Sequence, residues 1–329
     1  MTSFAPIAAS LLLAACTSPH PAAGKTAGTN GDSGSETGDA ADTSSDTADT
    51  ALPAPYTIAG DLVMTPVPAG TFTMGSPAEE VGRSDDETRH SVTLTGAFHI
   101  GKTEVTLGQF EAVLGYIPHN DTMCGEACPV RWVSWHEAAA FTNALSSAQD
   151  LEACYVCAGA GTAISCAAKP RRCVGYRLPT EAEWEYSARA GETTALHNGG
   201  NILAGTDESC AGALLLDNGN VLDDISWYCG NAANAIHPVA TLGPNAWNIF
   251  DTTGNVYEWT NDWFASFSGD PQTDPTGPTT GTEYVHKGGS WGSVPANCRH
   301  ANRAPTDPAF TAGGLGFRIA RDRGEASEP

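Results

Sequence analysis

Strand-like patterns occur in three short segments of the chain, at residues 62–64, 71–74 and 90–94, and apolar and polar residues alternate in the last two. A period of two places successive side chains on opposite faces of an extended backbone, so that one face can be buried while the other meets water. The pattern therefore predicts three short β-strands in the first third of the folded region.

Three further segments carry the start signals of helices. Each begins with a Ser or Thr at the N-cap position, where the side-chain oxygen can accept a backbone N–H of the first turn, and two have a Glu three residues later. The signals are Thr106 before residues 107–114 with Gly115 as the stop, Ser134 and Glu137 before residues 138–145, and Thr180 and Glu183 in a helix that Gly191 ends. Loops rich in Gly, Pro and Asn make up much of the rest. The pattern predicts an α+β domain with few helices and little regular secondary structure.

Composition excludes some classes of function. The chain has 329 residues, 16 Lys and Arg against 38 Asp and Glu, and a formal net charge of −22. Binding to nucleic acid or to an anionic membrane surface needs a basic patch that displaces counterions, so neither is expected. Soluble cationic partners stay possible. The 36 Gly and 21 Pro residues indicate many turns and argue against a mostly helical fold.

The first residues are typical of an exported protein. Residues 8–15 form a short apolar run, far below the ~20 residues that span a bilayer, and the run ends in Leu13-Ala14-Ala15-Cys16. This ending resembles a bacterial lipobox, which predicts a signal peptide over residues 1–15 and lipidation of Cys16. An ordinary signal peptide with a small-residue cleavage site is the alternative. The missing Lys or Arg before the run departs from both patterns.

Residues 16–61 consist mainly of Thr, Ser, Ala, Gly and Asp. Such a segment buries too little apolar surface to offset its chain entropy, so we expect a disordered acidic tether. It would hold a folded domain, expected over residues 62–321, away from the membrane of the cell envelope. Residues 322–329 would form a short tail.

Ten cysteines are too many for an ordinary reduced cytosolic enzyme, unless they bind metal. Apart from Cys16, the simplest count is four disulfides and one free thiol, Cys298. Three pairings are possible within the group 154, 157, 166 and 173, and we prefer the nested one. A zinc site at this group is the alternative, since Cys154-x-x-Cys157 has suitable spacing. The preferred disulfides are Cys124–Cys128, Cys154–Cys173, Cys157–Cys166 and Cys210–Cys229.

Seven motifs follow one another in an order that identifies a family. The longest is RLPTEAEWEYSARAG at residues 177–191. The others are PAGTFTMGS at 68–76, EVTLGQF at 104–110, PVRWVSW at 129–135, GNVYEW at 254–259, GGSW at 288–291 and GFR at 316–318. Together they resemble the formylglycine-generating enzyme, or sulfatase-modifying factor, family over essentially all of residues 62–321. The resemblance implies that family's irregular C-type-lectin-like fold.

The residue types of the longest motif favour a structural role. Trp184 and Tyr186 have large apolar bodies with a polar edge, which suits a core that also fixes loops. Arg177 can pair with Glu183 or Glu185. By the same reasoning, we expect His136 and His237 to be hydrogen-bonded structural residues.

A calcium site is expected around residues 245–258. Asp251 and Glu258 offer carboxylate oxygens, and the turn at Gly254 can expose backbone carbonyls, which together make a hard-oxygen ligand set. The family resemblance implies that the side chains of Asp251 and Glu258 and the carbonyls of Gly254 and Val256 bind the ion. The alternative is a turn whose acids only cap backbone amides. The family's second calcium site has no convincing counterpart here.

The family's oxidases bind Cu(I) with two cysteines that follow the Gly-Gly-Ser motif. Here that motif ends at Ser290, Ser293 occupies the first cysteine position, and Cys298 occupies the second. A hydroxyl is a poor ligand for Cu(I), which prefers soft thiolates. Tyr257 also replaces a Trp of those oxidases. Copper is therefore not expected, and Ser290, Ser293 and Cys298 are catalytic candidates only if activity is retained.

Three functions compete at this point. The first is a non-oxidase module at the cell surface that binds a protein, peptide or glycan, and the lectin-like fold and tether favour it. The second is a family enzyme that uses the same pocket differently, such as an iron-dependent or maturation enzyme acting on a protein or peptide. The third is a formylglycine-generating oxidase with an altered site.

Overall fold

A computed structural model of the chain describes residues 55–58, 61–119, 124–169 and 173–323. The expected signal peptide, Cys16, most of the tether and the end of the tail lie outside these residues. None of the helices in the described part is both long and apolar enough to cross a membrane.

A five-stranded antiparallel sheet joins the two ends of the folded region. Across the sheet the order is β1 (Tyr56–Ile58), β2 (Leu62–Val67), β5 (Phe98–Gly101), β14 (Ala320–Asp322) and β8 (Tyr176–Arg177). Residues 56–58, which precede the expected boundary at residue 62, pair with β2 in this sheet. Tyr56 and Ile58 also pack against the core, and the ring of Tyr56 meets that of His99 edge-on. These apolar side chains distinguish the end of the tether from the rest of it.

Two further sheets and a hairpin carry the remaining strands. One sheet has the order β10 (Gln272–Thr273), β4 (His90–Leu94) and β3 (Gly70–Met74), and the other has β12 (Ala304–Thr306), β11 (Tyr284–Lys287), β9 (Tyr257–Trp263) and β13 (Leu315–Gly316). The hairpin pairs β6 (Tyr155–Ala158) with β7 (Ser165–Ala168). The three predicted strands are confirmed as β2, β3 and β4.

All three predicted helices form with the expected caps. They are α1 (Leu107–Leu114), α2 (Trp135–Ser147) and α3 (Glu181–Arg189), and each has a complete capping box. The stop of α1 is Gly115, with φ of 75°. In α3 the chain already turns left-handed at Ala190, with φ of 46°, one residue before the expected Gly191. Short 3₁₀ helices span Gly161–Ala163, Leu222–Asp224 and Pro295–Cys298.

Aromatic side chains fill the core between α1, α2 and the sheet of β9 and β11. The rings of Trp135 and Tyr284 stack at 4.0 Å, and Tyr284 stacks in turn on Trp263 at 3.7 Å. Phe110, Phe141 and Phe317 form a second aromatic group beside them. These contacts join distant segments in a chain of little regular structure, which matches the predicted α+β class.

The structure contains four disulfides with the same pairings that the sequence analysis prefers: Cys124–Cys128, Cys154–Cys173, Cys157–Cys166 and Cys210–Cys229. Cys157 and Cys166 are directly opposite each other in the β6–β7 hairpin. The four cysteines of the alternative zinc site are therefore used in disulfides. Cys298 is the free cysteine of the described residues, and it is buried.

Candidate functional site

The turn after β11 positions the predicted catalytic segment. Gly288 and Gly289 have φ of 96° and 77°, a left-handed conformation that glycine adopts without strain. A β-carbon on Gly289 would lie only 2.7 Å from the Sγ atom of Cys298. The thiol is held there by the 3₁₀ helix Pro295–Cys298. The turn can pass this close to Cys298 because it has no side chain at residue 289.

The structure brings Ser290 and Ser293 into direct contact beside this turn. The hydroxyl oxygen of Ser293 accepts the backbone N–H of Ser290 at 3.0 Å, and the two hydroxyl oxygens are 3.1 Å apart. Ser293 also acts on the nearby phenol of Tyr257, where it opposes the rise in pKa that burial causes. Ser293 is thus a buried member of a hydroxyl network that holds the turn together.

Cys298 lies against the turn with a fully buried side chain. Burial raises the pKa of its thiol to about 12, although the nearby Ser226 and the charge of Arg299 oppose the shift. The thiol is therefore protonated at neutral pH. A protonated, buried thiol is a weak nucleophile and a weak metal ligand.

These residues do not fit the two-thiolate copper site that the family resemblance implies. Cys298 is one thiol, its pKa disfavours the thiolate, and the side chain at the first ligand position is the Ser293 hydroxyl. Hydroxyl oxygens are hard donors, whereas Cu(I) prefers soft sulfur ligands. No oxidation step is derived for this site.

Three residues of the predicted calcium turn have a left-handed backbone conformation. Asp251, Gly254 and Asn255 all have positive φ, between 57° and 79°. A β-carbon on Gly254 would lie 2.1 Å from the carbonyl oxygen of Trp227, so this position requires glycine. Asp251 accepts the backbone N–H of Ala240 at 2.7 Å, which is the capping role named as the alternative.

Glu258 is already bound to protein groups. Its two carboxylate oxygens accept from the guanidinium of Arg318 at 2.5 and 2.6 Å, and one also accepts from the indole N–H of Trp184 at 2.6 Å. A cation at this turn would have to share Glu258 with Arg318.

Glu104 is a member of the same buried cluster that sequence reasoning did not select. Its Oε1 atom is buried and lacks a hydrogen-bond partner within the described residues. Burial, and then the charges of Asp251 and Glu258, raise the pKa of Glu104 well above its usual range. Burial also raises the pKa of Asp251 to about 6. Glu104 is the first residue of one family motif and directly precedes the apolar Val105. An acid in that position is the sequence feature that indicates a buried carboxyl group here.

The charges of the buried cluster around Glu258 do not balance. Three buried carboxyl groups face a single guanidinium, that of Arg318, so the cluster has negative charge to spare. A hard cation with oxygen ligands suits this excess. Across the described ranges, no three or more His, Cys, Asp or Glu side chains are arranged as a metal site. Backbone carbonyls, those of Gly254 and Val256 in the expected set, would have to contribute.

Helix α3, which the longest motif encodes, is buried along its whole length, and its charges are paired. The pairs are Arg177 with Glu183 at 2.6 Å, Arg189 with Glu185 at 2.9 Å, Lys287 with Glu185 at 3.0 Å and Arg303 with Glu181 at 2.6 Å. Although burial opposes the shift, Lys287 and Arg189 lower the pKa of Glu185 to about 2. The structural reading of this motif agrees with these contacts.

Fold and site together define the class of protein. It is an irregular α+β domain of the C-type-lectin-like kind, with a charged central helix packed beneath a glycine turn that carries Ser290 and Ser293. The model of the sulfatase-modifying factor enzyme 1-like domain matches residues 56–323, and the chain belongs to this family.

Relatives with different names are similar to the chain. The formylglycine-generating enzyme of Streptomyces coelicolor is 30% identical over 301 residues, which cover 78% of this chain and 88% of the relative. The chaperone protein LppX of Paenibacillus barcinonensis is 30% identical over 299 residues, covering 81% and 91%. Among solved structures, Treponema denticola variable protein 1 has a TM-score of 0.67 at 28% identity, covering 82% of this chain and 99% of that one.

Proposed function

We propose that the chain is an exported, lipid-anchored protein whose formylglycine-generating-enzyme-like domain is a binding or accessory module and not an oxidase. Its ligand would be a protein, a peptide or a glycan. The proposal depends on the site after β11, where the family's oxidases need two thiolates.

The single observation that carries the proposal is the environment of Ser293. Its hydroxyl is hydrogen-bonded to Ser290, and Cys298 is left as one protonated, buried thiol. Copper that activates oxygen needs a preorganised ligand set, and this arrangement supplies at most one soft ligand.

The names of the relatives support two different functions, an accessory role and an oxidase. LppX is called a chaperone protein, which supports an accessory role. The Streptomyces coelicolor relative is called a formylglycine-generating enzyme, which keeps an oxidase as the alternative. The side chain at residue 293 distinguishes the two.

Copper affinity tests the proposal directly. We expect the wild-type protein to compete poorly for Cu(I) against a chelating indicator, because it has one buried thiol. Ser293→Cys should bind at least tenfold more tightly, since it adds the second sulfur. Ser91→Cys, which adds an exposed thiol on β4, is the matched control and should behave like wild type. Tight stoichiometric binding by wild type would overturn the proposal.

The lipid anchor is part of the same proposal and is supported by the Leu13-Ala14-Ala15-Cys16 sequence. Membrane fractionation of the Cys16→Ala variant tests it. The variant should be lost from the salt-washed membrane fraction, and a variant that stays there has its anchor elsewhere.

Calcium binding at the cluster of Glu104, Asp251 and Glu258 is also proposed. A cation that binds only the folded state raises stability by mass action. We expect a higher melting temperature in calcium than in excess chelator, and no such difference in Asp251→Asn. Asp270→Asn, at an exposed position outside the cluster, should keep the wild-type difference. If the wild-type melting temperature is the same with calcium and with chelator, these acids only cap the turn.

A further inference from the structure

An exposed segment lines two cavities. Residues 274–283, which we call the strap, have no regular secondary structure and are largely exposed. Cavities of 320 and 270 Å³ are both lined by residues of the strap and by Trp263. Neither cavity is lined by Ser290, Ser293 or Cys298. The two cavities therefore belong to a different part of the domain from the glycine turn.

The strap is fixed at its ends. Asp274 accepts the backbone N–H and the hydroxyl of Thr95 at 2.8 and 2.5 Å, and the carbonyl of Glu283 accepts the N–H of Phe264 at 2.8 Å. Between these anchors, residues 275–282 form no hydrogen bond with any other described residue. The strap instead packs on the cavity walls, where a β-carbon on Gly277 would lie 3.1 Å from Oδ1 of Asp262.

Asp262 is the unusual group in the wall of the larger cavity. Its side chain is only 4% exposed. One oxygen, Oδ2, accepts the backbone N–H of Glu181 at 2.9 Å. The other, Oδ1, has no hydrogen-bond donor among the described residues, and the carboxyl forms no ion pair there. A buried carboxylate without a counter-charge is costly, so a bound cation at Asp262 would be stabilising.

The nearby cation, Arg303, does not supply that counter-charge. The Nε and Nη2 atoms of Arg303 donate to the two carboxylate oxygens of Glu181, at 2.6 and 2.9 Å. The ring of Phe267 covers the face of the guanidinium, 3.8 Å from its central carbon. Burial, and then the charges of Glu181 and Glu183, raise the pKa of Asp262 well above its usual range. Arg303 also lines this cavity, but it is paired with Glu181, so Asp262 has no cation of its own among the described residues.

Two aromatic residues, Trp263 and Phe267, also line the larger cavity beside Asp262. Because Phe267 already covers Arg303 and Trp263 stacks on Tyr284, these rings serve as apolar walls. A carboxylate beside apolar ring surface suits an organic cation, since the acid attracts the charge and the rings cover the carbon chain. The volume of 320 Å³ is near the lower end of small-molecule sites, about 300–1,000 Å³. It suits one side chain or one small amine.

We propose that the cavity beneath the strap binds an organic cation, a primary ammonium or guanidinium group, through Asp262 and the rings of Trp263 and Phe267. The cation would come from a Lys or Arg side chain of a protein partner or from a free amine. The formal charge of −22 favours the approach of either one. The inference rests on the proposed binding role and gives it a ligand class.

Calorimetric titration of the full chain tests the proposal with three probes. These are n-butylamine, Nα-acetyl-lysine amide and its neutral analogue Nα-acetyl-norleucine amide. We expect both cationic probes to bind at least tenfold more tightly than the neutral one. Tighter binding of the lysine derivative assigns the site to a peptide side chain, and tighter binding of butylamine assigns it to a free amine. Equal binding of the neutral probe, or no binding of either cation, overturns the proposal.

Variants locate the binding. Asp262→Asn can still accept the Glu181 N–H and should weaken cation binding at least tenfold, whereas Asp270→Asn, at an exposed position outside the cavity, should not. Gln272→Lys keeps Asp262 and adds an ammonium to the cavity lining. If Asp262→Asn fails to fold, loss of binding in folded Gln272→Lys supports the site. Unchanged binding in either folded variant overturns it. None of these results bears on copper binding, so this inference and the non-oxidase proposal fail separately.

Discussion

At the scale of single residues, the side chain at residue 293 decides what the turn after β11 can do. A hydroxyl there hydrogen-bonds to Ser290, whereas a thiolate would be a second soft ligand beside the thiol of Cys298 in the same segment. Glycines at residues 288 and 289 allow the turn to form at all. The turn is therefore a structural feature that is independent of its chemistry.

Gly289→Ala should destabilise the domain by about 1–3 kcal/mol, because alanine is strained at positive φ. The new β-carbon would also lie 2.7 Å from the Cys298 sulfur. The free energy of unfolding from urea titration measures the change. Gly292→Ala is the control in the same turn, since a β-carbon there meets nothing within 4 Å. Equal losses in the two variants would contradict the packing of Gly289 on the thiol.

At the scale of elements, α3 shows what local sequence can and cannot predict. Its capping box at Thr180 and Glu183 is a local signal, and the helix begins at Glu181, where the signal places it. Its partners come from distant segments: Lys287 lies on β11, and Arg303 lies directly before β12. Local spacing cannot reveal such partners. The sequence therefore predicts the helix but not its buried charge network.

Lys287→Met should cost about 3–5 kcal/mol, the usual effect of removing one partner from a buried ion pair. The loss arises because Lys287 and Glu185 both have fully buried side chains, 3.0 Å apart. Lys169→Met is the control, since its partly exposed pair with Glu152 at 3.4 Å should contribute no more than about 1 kcal/mol. Urea unfolding of both variants measures the difference. Similar losses would show that the buried network contributes little.

At the scale of the whole molecule, the fold class, three strands, three helices and four disulfide pairings agree with expectation. The features that the sequence analysis does not predict depend on contacts between distant segments. Glu104 joins Asp251 and Glu258 only through folding, and Asp262 lies in a cavity wall only because the strap passes over it. Tyr56 and Ile58 make their contacts with β2 and the core only in the folded domain. All of these features depend on tertiary contacts, which local sequence patterns predict poorly.

The buried histidines predict how stability depends on pH. His197 and His300 stack in the interior with ring centroids 5.7 Å apart. Burial lowers the pKa of His197 to about 4, from an ordinary value of 6.5. Burial, and then the charge of His197, lower the pKa of His300 well below its usual range. A lowered histidine pKa contributes stability that is present above pH 6.5 and is lost as the pH falls towards 4.

The His197→Gln variant isolates this contribution. Asp251, whose pKa is raised, changes stability in the opposite direction over nearby pH values, so the difference between wild type and variant is the quantity to measure. We expect the stability advantage of wild type to shrink by up to about 3 kcal/mol as the pH falls from 6.5 to 4. Urea unfolding at a series of pH values measures it. A difference that stays constant with pH would contradict a buried neutral His197.

The central claim is that this domain has the family's scaffold without its oxidase chemistry. Aldehyde formation on a sulfatase-motif peptide, with copper and oxygen supplied, tests it most directly. We expect no formylglycine from the wild-type protein, because Ser293 and a protonated Cys298 cannot hold copper between two thiolates. Formylglycine produced by wild type above the level of a Cys298→Ala control would contradict the claim and make the protein an oxidase with an altered site.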